Sequence, residues 1–140
     1  MVRLIRAYFG ALITFCVMDA VWLGAVATDF YYGELGDLLR EDPNWLAAVV
    51  FYLGYIAGIV YFAIWPALHD GSTQTAARHG MLLGLLAYAT YDMTNMATLE
   101  GWSLSISMVD MMWGMVITGT AATAGHWFAA QQNARTTDIQ

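Results

Sequence analysis

Apolar residues dominate four stretches of the chain, roughly residues 7–27, 45–65, 81–98 and 105–128, and the polar connections between them are short. Each stretch has about 18 residues or more, enough for a helix rising 1.5 Å per residue to cross most or all of a hydrocarbon core of about 30 Å. The pattern predicts an all-α, integral membrane four-helix bundle, folded as a single membrane domain over residues 1–140. The polar end, residues 129–140, reads as a flexible tail. The first stretch is Arg-flanked, as a signal peptide is, but it runs to Ala27 without a clear small-residue cleavage site and reads as a retained span.

The connections carry their own signals. Residues 28–44 hold Asp29, Glu34, Asp37, Glu41 and Asp42 against Arg40 alone. Residues 35–40 suit a short surface helix, and Asp42-Pro43 reads as a helix start with Asp as N-cap and Pro first in the helix. Pro66 is expected to end the second span. Positive residues favour the cytoplasmic side. Arg3, Arg6, Arg78 and Arg135 fall on one side of a four-span arrangement and Arg40 on the other, so both termini are expected in the cytoplasm. Trp45 and Trp102 then anchor the outer interface, and Trp65 and Trp127 the inner one. Gly54, Gly58, Gly80 and Gly84 form two GxxxG patterns, which suit packing within the bundle or a homodimer face.

Composition agrees with the membrane reading: 59% of the 140 residues are hydrophobic and 11% are charged, against about 25% charged in soluble domains. A net charge of -6 without a basic cluster excludes nucleic acid as the expected partner and leaves the lipid bilayer. No cofactor is implied. A retinal Schiff base needs a lysine and there is none; thiol redox chemistry needs a partner for Cys16, the single cysteine. His69, His79 and His126 lie at the cytoplasmic edge as ordinary interfacial residues, with haem ligation by His79 and His126 as a minor alternative.

Three acids break the apolar runs: Asp19, Asp92 and Asp110, with no Lys or Arg inside the runs to neutralise them. Counting rise puts all three roughly 8 to 14 Å below the outer boundary, on three different helices. Residues three and four apart share a helix face, so Tyr88, Asp92 and Asn95 make one polar stripe that should face the interior. Asp19 and Asp110 each have a tryptophan three residues on, Trp22 and Trp113. A buried indole N–H needs an acceptor, and a carboxylate on the same or the facing helix offers one. Tyr88 or Tyr91 is available to orient a ligand. Three ionised carboxylates without a cation would be very unfavourable in low dielectric. Either some hold protons or an external cation joins them.

Residues 18–24 (MDAVWLG), 44–48 (NWLAA), 88–95 (YATYDMTN) with 97–99 (ATL), 101–102 (GW) and 109–114 (VDMMWG) together resemble a bacterial family of small four-span inner-membrane proteins known only as a domain of unknown function. The resemblance covers nearly all of the chain but its tail and implies no activity. Genes for lipid-modifying enzymes often neighbour those of its members. Three readings follow for Asp19, Trp22, Tyr88, Asp92, Asn95, Asp110 and Trp113. They form a binding or transport site for protons, a cation or a small cationic or membrane-soluble ligand. Or they serve a membrane enzyme or accessory subunit in lipid modification, with the carboxylates as acid and base. Or the acids are protonated hydrogen-bond nodes in a purely structural subunit. Spacing gives no metal motif; a metal site would need all three helices, with Asn95 as a further oxygen ligand.

Overall fold

The computed structural model describes the backbone of residues 1–137 and the side chains of residues 1–36 and 38–131, and all regular structure among them is helical. Helix α1 (Val2–Val21) passes into a π-helical turn, Trp22–Val26, closed by the Ala27 N–H donating to the Trp22 carbonyl at 2.8 Å. A short α2 (Thr28–Leu35) and a 3-10 turn (Gly36–Leu38) follow. Helix α3 (Trp45–Ile59) runs through a second π turn, Val60–Ile64, into α4 (Trp65–Asp70). Helices α5 (Thr73–Thr98) and α6 (Leu104–Thr137) follow.

Among the described residues three helical stretches are long and apolar enough to cross a membrane: Val2–Val26, Trp45–Asp70 and Leu104–Gln131. The 26 residues of α5 give a comparable length, but Arg78, His79, Asp92, Asn95 and its threonines set it apart from those three in apolarity.

Several local expectations are corrected. Asn44, not Asp42, caps α3: its side chain accepts from the Ala47 N–H at 3.1 Å, and Pro43 lies before the helix. Pro66 does not end the second run. A proline ring clashes with the carbonyl four residues back in a regular α turn. The π turn immediately before it widens the helix, and α4 continues until Gly71 adopts φ 68°. The connection after α1 is helical from Thr28, earlier than the 35–40 segment expected. Helix α6 extends into the tail as far as Thr137, and residues 138–140 lie outside the described residues.

Helix α6 is the spine, and its most extensive contacts are with α5 and α1. Small residues make this possible. A Cβ on Gly84 would lie 2.0 Å from the Gly114 carbonyl oxygen, and one on Gly80 would lie 2.7 Å from the Ala122 methyl. A Cβ on Gly125 would meet the Ala7 carbonyl at 2.7 Å, which brings the start of α1 and the later part of α6 to one end of the molecule. Gly80 and Gly84 therefore pack within the chain, whereas a Cβ on Gly54 or Gly58 would meet nothing within 4 Å. Phe15, Ile56, Ile59, Ile64 and Ile117 fill the core. Outside it lies a broad exposed apolar surface, including Val17, Val21, Val50, Leu82, Leu86, Met112 and Val116, as a lipid-facing exterior would be.

Helix α3 buries only Ile56 and Ile59. It packs on α1 and hardly meets α5, while the π turn after it packs firmly on α5. The first half of α3 thus stands off from α5, and the space left there is the site.

Candidate functional site

A cavity of about 430 Å³ lies among α1, α2, α3, α5 and α6. Among the described residues its charged lining residues are Asp19 and Asp110, and no Lys, Arg or His lines it. Both carboxylates belong to side chains more than nine-tenths buried, at 7% and 8% exposure. The rest of the wall is mainly aromatic. Helix α3 contributes Phe51, Tyr52 and Tyr55, α5 contributes Tyr88 and Tyr91, and Trp22, Tyr31, Trp102 and Trp113 complete it.

The two acids are held crosswise. Asp19 on α1 accepts from the indole of Trp113 on α6 (3.4 Å) and from the hydroxyl of Tyr52 on α3. Asp110 on α6 accepts from the hydroxyl of Tyr31 on α2, and that oxygen in turn accepts from the indole of Trp22 on α1 (3.2 Å). The two indoles stack between them, with ring centroids 4.3 Å apart and planes 9° from parallel. The repeated Asp-x-x-Trp pattern of α1 and α6 therefore has a physical cause: each helix supplies an acid whose donors come from the other elements. Trp22 opens the π turn that follows α1; such turns recur at functional sites. Burial, then the Asp110 carboxylate, pushes the Tyr31 phenol above its usual range, so it remains a donor.

Asp92 sits behind this wall rather than in it. It is fully buried, and among the described residues neither of its carboxylate oxygens has a hydrogen-bond partner. Asp110 is the common neighbour, within electrostatic reach of Asp19 and of Asp92. Ser107, also near Asp92, is engaged elsewhere: its hydroxyl donates to the Ser103 carbonyl (3.5 Å) and accepts from the Trp102 indole (3.1 Å). Among the described residues no three His, Cys, Asp or Glu side chains are grouped as metal ligands.

Of the seven residues singled out by sequence, Asp19, Trp22, Tyr88, Asp110 and Trp113 line the cavity, while Asp92 and Asn95 do not. Asn95 is half-buried, one turn beyond Tyr91 on α5. Tyr88 lies flat against α6: a Cβ on Gly114 would fall 2.4 Å from its ring. Sequence reasoning missed Tyr31, Phe51, Tyr52 and Tyr55. The i, i+3 spacing of Tyr52 and Tyr55 was an available signal for a polar-tipped face on α3; nothing in an acidic connection marked Tyr31. Trp102, expected as an interfacial anchor, turns inward onto Ser107 and Tyr91, while Trp45, Trp65 and Trp127 are exposed. His126 is buried with its Nδ1 on the Thr73 hydroxyl (3.3 Å), and His79 is exposed, an arrangement that does not favour a shared haem.

The model of the family described as "Predicted membrane protein (DUF2177)" matches residues 4–127. No curated protein and no solved structure matches the chain at a significant level.

Proposed function

The chain belongs to this family of predicted membrane proteins, and on that premise we propose that it crosses a bacterial inner membrane four times and binds a small cationic or membrane-soluble ligand in the outer half of the bilayer. Three helices with the length and apolarity of spans support the crossing, with α5 as the fourth, shielded on one side by α6. The shared end of α1 and α6, with Arg3 and Arg6 beside it, fits termini on the cytoplasmic side.

The observation that carries the binding reading is the cavity itself: among the described residues, two buried carboxylates and no basic group in a predominantly aromatic wall. A mostly apolar concavity with a few convergent polar groups is the usual form of a small-molecule site. The test is native mass spectrometry of protein purified in mild detergent. The expected result is a bound small molecule on the wild type that is absent from Asp110→Asn. Bare wild-type protein, or equal retention by the variant, counts against the reading.

A second reading, acid–base chemistry on a membrane-soluble substrate, draws on one observation. Partnerless Asp92 beside hydrogen-bonded Asp110 offers two carboxyl groups in unlike surroundings, the condition for one acid and one base.

A further inference from the structure

We infer that the ligand is an alkylated ammonium group carried on an apolar tail, entering the cavity sideways from the bilayer between α3 and α5. This rests on the ligand-binding reading above and narrows it to one chemical class.

Charge comes first. The cavity holds two carboxylates that no basic lining residue neutralises. The acceptors decide what kind of cation answers them. Asp19 already accepts from Tyr52 and Trp113, and Asp110 from Tyr31. Among the described residues, the second oxygen of Asp110 is the carboxylate oxygen of this pair that takes no hydrogen bond. A hard divalent ion such as Ca²⁺ or Mg²⁺ asks for about six or more oxygen ligands, and a primary ammonium presents three N–H donors. The wall around the two carboxylates is predominantly aromatic. A methylated ammonium needs negative charge and π faces and has few or no N–H groups to satisfy, the chemistry of aromatic cages.

The way in follows from which lining residues are also exposed. Phe51 on α3 is 53% exposed and Tyr91 on α5 is 56% exposed, yet both line the cavity. These two helices hardly meet, so the opening between them faces the surface that lipid covers. A tail lies there naturally while the head reaches Asp110 past the ring of Tyr88.

The test uses purified protein in dodecyl maltoside, an uncharged detergent without an ammonium group. Tryptophan fluorescence is titrated with dodecyltrimethylammonium, dodecylammonium, the uncharged tert-butyl isostere 2,2-dimethyltetradecane, and tetramethylammonium. Dodecyltrimethylammonium is expected to bind saturably and about tenfold or more tighter than each of the others. Tyr88→Phe, which keeps the ring, retains that preference; Tyr88→Leu and Asp110→Asn lose it. Equal affinity for the uncharged isostere, a preference for dodecylammonium, or equal loss in both Tyr88 variants overturns the ammonium assignment while leaving a ligand site. Equal affinity for tetramethylammonium overturns lateral entry. Absence of saturable binding by any probe, together with bare protein in the mass spectrum, overturns the underlying reading as well.

Discussion

Asp110 and Asp92, on the packed helices α6 and α5 and within electrostatic reach of one another, have opposite circumstances. Asp110 borders the cavity and receives the Tyr31 hydroxyl; Asp92 is fully enclosed and, among the described residues, receives no hydrogen bond. An ionised carboxylate without a donor in an apolar interior is far costlier than the neutral acid. Asp92 is therefore expected to carry its proton at neutral pH, and the amide of Asp92→Asn should replace it with a stability change within about 1 kcal/mol. Infrared difference spectroscopy of wild type against Asp92→Asn checks this: the wild type should show the carbonyl stretch of a protonated carboxylic acid that the variant lacks. A variant that unfolds, or a wild type without that band, would contradict it.

At the scale of elements, the α5–α6 seam and the α2 cap make separate demands. Gly84→Ala forces a methyl into the Gly114 backbone, and overpacking of this kind costs about 1–3 kcal/mol. Gly54→Ala meets nothing within 4 Å. Thermal unfolding in detergent should show a clear drop for the first and little change for the second. Helix α2 makes its main contacts with the turns on either side of it, and Tyr31 ties it down to Asp110. Tyr31→Phe removes that tie, so amide hydrogen exchange over residues 28–38 should speed up several-fold while α6 stays protected; unchanged exchange would mean that the hydroxyl does not hold the cap. These elements also show what the sequence could reveal. Counting rise suggested similar depths for Asp19 and Asp110, and both line one cavity; the need of a buried indole for an acceptor left a carboxylate on the same or the facing helix open, and Trp113 takes Asp19 on the facing one. Depth counting could not reveal rotation, and rotation turned Asp92 into the α5–α6 seam and left Asn95 off the wall. Pro66 misled because a π turn has no simple pattern of its own in the sequence, and Tyr31 was hidden because its helix lies in a stretch whose charges read as a solvated loop.

At the scale of the whole molecule, packing is uneven along its length. At the end where α1 begins, Ala7, Ala11, Gly125 and Ile64 close tightly together. At the other end α3 stands away, and aromatic side chains surround a space instead of filling it. The six tryptophans report on this division: Trp22, Trp102 and Trp113 line the cavity, while Trp45, Trp65 and Trp127 are exposed on the exterior. The most direct test of the account is therefore fluorine NMR of protein labelled with 5-fluorotryptophan, titrated with dodecyltrimethylammonium in dodecyl maltoside. The three cavity signals should shift together and saturate, the three exterior signals should stay, and Asp110→Asn should abolish the shift. Six signals that drift together without saturating, or cavity signals that stay still, would contradict a ligand site between these helices.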